Sequence, residues 1–207
     1  LQSYGFLAQL ANNPEEKLDW LEKRSQLLAG LKVQDLRYGF DEAGRISQLI
    51  QTQLQAALLL EKMNRPAQLA KLMQNNLNNL VAWQKNGGSL IGQPVLQSVY
   101  NYLVLATDHP AAFKEEPQLL AEFIQKIDKE WVVEPQTPAY NQAQQLKLKL
   151  LEAGYRFRLQ EQTANQLKAQ LLALEETASW QGLAVTRPDL HRELHLLAKG
   201  VLALAKP

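Results

Sequence analysis

PAQLAKLMQNNLNNLVAWQK, residues Pro66–Lys85, is the stretch that decides the fold class. Leu69, Leu72, Met73, Leu77 and Leu80 recur at steps of three and four, which puts them on one side of a helix of about 3.6 residues per turn. Pro66 falls where the first helical amide has no acceptor to lose, so it starts the helix rather than breaking it. No period-two alternation competes with this pattern, and the stretch predicts a core helix with one apolar face.

Working outward, the same period returns in three more stripes. They are Ile46, Leu49, Ile50, Leu54, Ala57 and Leu58; then Leu120, Phe123, Ile124, Ile127 and Trp131; and last Leu190, Leu194, Leu197, Val201 and Leu204. Eight of the nine prolines read as helix starters: Pro14, Pro66, Pro94, Pro110, Pro117, Pro135, Pro138 and Pro188. The fullest signal is Asn13-Pro14-Glu15-Glu16, where Asn13 can cap, Pro14 presets φ and Glu16 can reach back to the cap. Thr137-Pro138 and Thr186-Arg187-Pro188-Asp189 repeat that logic. The expected fold is therefore all-α, an antiparallel helical bundle or two stacked bundles, with at least about six helices covering roughly two thirds of the chain or more.

Three joints are less determined. The first third predicts a short helix over residues 4–11 and a longer one from Pro14 towards Tyr38 with Gly30 inside it. Gly39 and Gly44 each cost a helix about 1 kcal/mol relative to alanine, so a break is expected there, with one continuous helix over 14–63 as the bolder alternative. Residues 138–180 are either one helix bent near Gly154 or a helical hairpin. Asn86-Gly87-Gly88-Ser89 carries strong turn chemistry, so a single helical domain is expected, with any subdomain divide near residues 86–92.

Composition narrows the chemistry. Lys and Arg number 22 and Asp and Glu 21, for a net charge of +1, which disfavours a dedicated nucleic-acid binder. The basic and aromatic cluster Lys147, Lys149, Tyr155, Arg156, Phe157, Arg158 could stack bases, but Glu152 and Glu161 balance it. The absence of cysteine removes disulfides, thiolate metal sites and cysteine nucleophiles. His191 and His195 sit one turn apart but lack the glutamate that a zinc hydrolase places directly after the first histidine, and no third ligand is evident. No phosphate-cradling glycine loop or nucleophile elbow is present, and Glu15, Glu16, Glu115 and Glu116 are explained by helix starts. The expectation is a non-enzyme that carries no cofactor and no metal. The longest apolar runs fall far short of the ~20 residues that span a bilayer. The chain opens on Leu1, an opening expected of a processed protein or an excised piece.

Two polar residues fall on apolar stripes: Asn76 between Met73 and Leu80, and Gln53 on the line of Ile46 and Ile50. Buried amides must be hydrogen-bonded. Either they pair to fix helix register, or they mark a ligand pocket between helices to which Arg37, Tyr38, Arg45, Trp83 and Tyr100 contribute.

Leu7-Ala8-Gln9-Leu10-Ala11-Asn12-Asn13-Pro14-Glu15-Glu16, with the leucine-rich run to Leu31, resembles the opening of all-helical extracytoplasmic sensor domains of bacterial histidine kinases and chemoreceptors. The trimethylamine-N-oxide sensor type and the helical bimodular type are notable among these, and residues 57–80 resemble their later hairpins. The resemblance covers about two thirds of the chain, rests on no invariant motif, and departs in the proline-marked region 108–138. It implies a periplasmic module that recognises a small molecule or a binding-protein partner, and that meets the membrane only through segments outside this stretch. Association as a homodimer is compatible with it. Residues 17–28 are similar in a lesser way to helical export chaperones of the flagellar type, which implies the alternative, a cytosolic adaptor or chaperone holding a protein partner.

Overall fold

The computed structural model describes residues 2–32, 41–113, 117–131 and 138–205. Among the described residues there are ten helices and no strand, as the periodicity requires. They are α1 (Gln2–Leu10), α2 (Pro14–Gly30), α3 (Glu42–Lys62), α4 (Pro66–Lys85), α5 (Gln93–Asp108), α6 (Gln118–Glu130), α7 (Ala139–Arg158), α8 (Ala164–Glu175), α9 (Ala178–Thr186) and α10 (Pro188–Ala203).

Helix starts follow local chemistry. Asn13 Oδ1 accepts from the Glu16 amide at 2.8 Å, with Pro14 in the first turn. Asp41 Oδ1 accepts from the Gly44 amide at 2.7 Å and opens α3. The reciprocal capping box appears at α8, where Thr163 and Gln166 exchange side-chain and backbone bonds. Pro66 and Pro188 begin α4 and α10, and Pro94, Pro117 and Pro138 lie within a residue of the starts of α5, α6 and α7. Pro110 does not begin a helix: it sits in a turn closed by the Ala112 amide donating to the His109 carbonyl. Pro135 lies outside the described residues.

Two expectations are corrected. The helix from Pro14 stops at Gly30, short of Tyr38, because Leu31 turns to extended backbone with φ −65° and ψ 132°; the next described helix begins at Glu42, so the bolder alternative of one continuous helix over 14–63 does not hold. The hairpin after Pro138 turns at residues 159–163, where Gln160 takes a φ of 60°, and not at Gly154. Gly154 stays inside α7, and a Cβ there would touch Val201 of α10 at 3.4 Å, so the glycine serves a close helix approach.

The chain forms two compact units. The first comprises Leu1–Tyr102 and Glu115–Ile124, the second Leu103–Lys114 and Gln125–Pro207. The boundaries between these units fall within α5 and α6. In the first unit α3 packs against both α2 and α4, and α1 packs against α2. Its core includes Leu21, Leu28, Ile46, Ile50, Ala57, Leu69, Met73, Leu77 and Leu80, all nearly fully buried. Leu58, expected in the α3 stripe, is instead 49 % exposed, because it falls one step beyond the buried arc of Leu54, Ala57 and Leu60. In the second unit Leu146, Leu150, Leu167, Leu171, Trp180, Leu183, Leu194 and Val201 from α7 to α10 close one apolar cluster.

Candidate ligand-binding groove

The two polar residues on the apolar stripes meet. Asn76 Nδ2 donates to the Ile50 carbonyl at 3.2 Å and to Gln53 Oε1 at 3.1 Å, and Asn79 Nδ2 donates to the same Gln53 oxygen at 2.9 Å. Two donors on Oε1 fix which way the Gln53 amide faces. Its Nε2 then has no partner among the described residues, although the residue is only 7 % exposed. Asn76 Oδ1 is likewise buried without a partner among the described residues. An unsatisfied buried amide atom such as this Asn76 oxygen costs about 1–3 kcal/mol, and native chains retain few of them, whereas the Gln53 Nε2 is not itself a fully buried atom.

Gln53 lines a groove of about 580 Å³ over α3, walled by α2 and α4. Its floor is apolar, with Leu49, Ala56 and Leu60 of α3 and Leu72 of α4. Its rim is rich in amides: Gln26 from α2, and Gln68, Asn75, Asn78 and Asn79 from α4. One acid, Glu22, and one base, Lys71, leave the rim neutral. The volume falls in the range of small-molecule sites, ~300–1,000 Å³, and convergent polar groups over an apolar floor are what such sites use to fix orientation. The groove offers N–H donors and amide oxygens to a neutral ligand that can both accept and donate.

The other expected site residues go elsewhere. Arg45 grips Glu42 through Nε at 2.8 Å and a terminal nitrogen at 2.5 Å, while its other terminal nitrogen donates to the Leu28 carbonyl at 2.5 Å. It ties the end of α2 to the start of α3, and the mutual hydrogen bonding lowers the Glu42 pKa and raises that of Arg45. Trp83 Nε1 donates to the Ser89 carbonyl at 3.1 Å, and the indole lies so close over Gly88 that a Cβ there would stand 2.1 Å from the ring. Trp83 closes a loop. Tyr100 is buried at 5 % exposure on α5 and does not line the groove. Arg37 and Tyr38 lie outside the described residues.

Sequence reasoning missed Gln26, Gln68, Asn75, Asn78 and Asn79 as wall residues. A signal existed in the run Gln74-Asn75-Asn76-Leu77-Asn78-Asn79, since asparagine in a helix interior costs up to about 0.7 kcal/mol relative to alanine. Four of them in one turn and a half are hard to explain by helix formation alone.

The remaining motifs are self-contained. The His191 and His195 rings stack at 6.4 Å, His191 meets the edge of Trp180 at 5.8 Å, and His195 Nδ1 lies 3.7 Å from Glu175 Oε1. No set of three metal-ligating side chains comes together among the described residues. Arg156 is bound by Glu152 at 2.9 Å and Glu161 at 2.7 Å. No described helix is long and apolar enough to cross a membrane.

Fold and groove together define an all-α protein with an amide-walled cleft in its first unit. Comparison with protein-family models, with curated proteins and with solved structures finds no match to this chain.

Proposed function

We propose that the chain is a recognition module rather than an enzyme, and that it binds a neutral, hydrogen-bonding ligand in the groove over α3. The single observation that carries this reading is Gln53, which lines a cavity of ligand size with its Oε1 doubly bonded and its Nε2 donor unused among the described residues. A ligand carbonyl or hydroxyl at that position would satisfy it. Because α2 and α4 each rest on α3, an occupant of the groove would spread or draw in its two walls. Helix shifts of about 1–2 Å are how helical sensors pass a signal on, which fits a signal-sensing module. The extracytoplasmic setting, and coupling to segments outside this stretch, rest on the resemblance to bacterial sensor domains.

A second reading is a helical adaptor or chaperone that holds an extended segment of a protein partner. The row Gln68, Asn75 and Asn79 along α4 favours it, since amides spaced by whole turns can follow a peptide backbone.

The test is a thermal-shift screen of neutral sugars, polyols, amides and short uncharged peptides against the wild type and Gln53→Leu. A compound that raises the wild-type melting temperature should bind the variant about tenfold more weakly or worse, the equivalent of one lost buried hydrogen bond. Hits that bind Gln53→Leu as well as wild type would remove the groove from consideration. Hits confined to peptides would favour the adaptor.

A further inference from the structure

On the opposite side of the α2–α3 pair, under α1, lies a second cavity of about 380 Å³. Its wall carries Lys17 and Arg24 of α2 and Lys62 of α3, together with Gln9 and Gln55, and no carboxylate among the described residues. Three cationic residues line this one cavity in a chain whose whole net charge is +1. None of the three forms an ion pair among the described residues, while Glu15 nearby in sequence is taken by Arg65.

Arg24 is held in place rather than left in solvent. Its guanidinium lies against the backbone of α1 at Gly5, where a Cβ would come within 3.1 Å of a terminal nitrogen. Nε is buried with no hydrogen-bond partner, and the one bond the group makes, to Gln48 Oε1, is long at 3.4 Å. A guanidinium has five N–H donors in a fixed planar fork, and here almost all of them are unspent. Covering apolar surface with the stem of an arginine does not require the head to be drawn under another helix.

We propose that this cavity binds a phosphate group. A phosphate monoester keeps close to two negative charges at neutral pH and offers three strong acceptor oxygens. That suits a guanidinium fork in a wall that also carries two lysines and no carboxylate among the described residues, whereas a single carboxylate would leave most of that positive charge uncompensated. Gln9 and Gln55 stand at the rim to meet the hydroxyls of whatever carries the phosphate. The chemistry is shared by a soluble phosphate ester and by a phospholipid headgroup. The site is separate from the amide groove and stands whether or not that groove binds anything.

The experiment is calorimetric titration of the full chain at low ionic strength with glycerol 3-phosphate and with inorganic phosphate, and in parallel co-sedimentation with vesicles containing phosphatidic acid. Saturable binding of the soluble probes, weakened about tenfold or more in Arg24→Gln and measurably in Lys62→Gln but not in the charge-matched control Lys168→Gln, is the expected result. Vesicle binding with the same dependence on Arg24 would assign the phosphate to a lipid headgroup. Circular dichroism of each variant confirms that helix content is retained, and Gly5→Ala, which crowds the guanidinium without removing charge, should weaken binding as well. No saturable binding in either arm, or binding that Arg24→Gln and Lys62→Gln leave unchanged, overturns the proposal.

Discussion

Helices α4 and α7 have the same length, 20 residues, yet they bury different chemistry. The buried side of α4 is Leu69, Met73, Asn76, Leu77 and Leu80, with an amide in the middle of the stripe. The buried side of α7 includes Ala143, Leu146, Leu150 and Ala153, which enter a cluster closed by α8, α9 and α10. A helix that only had to pack would follow α7, because a buried amide with an unfilled oxygen lowers stability and an aliphatic group of the same size does not. The position where α4 departs from that rule is the position that supports Gln53 at the groove. Polar residues in a helical core are therefore informative when their bonds leave something over.

Stability measurements can break or sharpen this contrast. The largest effect belongs to the apolar side: Leu150→Ala, at a site with no solvent exposure, is expected to cost about 2–5 kcal/mol in urea unfolding followed by circular dichroism. A cost below about 1 kcal/mol would mean that the α7 cluster is looser than its burial indicates.

Asn76→Leu should be close to neutral or slightly stabilising in the same assay. It removes a buried acceptor that has no partner, and Asn79 still donates to Gln53. A loss of more than about 2 kcal/mol would show that the amide pair holds the first unit together, and the contrast between α4 and α7 would vanish.

The smallest effect lies at the start of α10, where Arg187 forks onto Asp189 at 2.9 and 2.6 Å. That hydrogen bonding holds the Asp189 carboxyl at about 2, below its ordinary value of 3.8. The folded value is the lower one, so the pair favours the folded state above the ordinary carboxyl pKa and loses that contribution as the pH falls from near 3.8 towards 2. Both side chains are well exposed, so the effect belongs in a carboxyl titration by NMR rather than in an unfolding midpoint. Arg187→Ala should return Asp189 towards its ordinary value, and an unmoved titration would dissolve the pair.

How much of this was legible in the sequence depends on how local each cause is. The helix starts at Pro14, Pro66 and Pro188 were, because capping and proline chemistry act within one turn. The end of α2 at Gly30 was not, since neither Gly30 nor Leu31 carries a stop signal as strong as the two glycines that follow at 39 and 44. Gln53 and Asn76 could be singled out because each interrupts an apolar stripe, and the structure brings them to 3.1 Å. Arg45, Trp83 and Tyr100 looked like ligand groups only because their real surroundings are invisible to periodicity. Leu28 and Ser89 meet the first two through loops and tertiary packing, and Tyr100 is buried on α5. The amides of the groove wall were hidden for a different reason. Asn75 or Asn78 taken singly is an ordinary solvent-facing residue, and their convergence exists only once α2 and α4 flank α3.

That flanking arrangement also bears on how the first unit is made. Helix α1 packs on α2, α2 on α3 and α3 on α4, so each element finds its main partner next to it along the chain. Contacts of short sequence separation close small loops and form early and fast. A chain leaving the ribosome could complete the α2–α3 hairpin while α4 is still being synthesised, and add α4 by simple apposition. The groove would then be assembled last, when its final wall arrives, on a base that has already stopped rearranging.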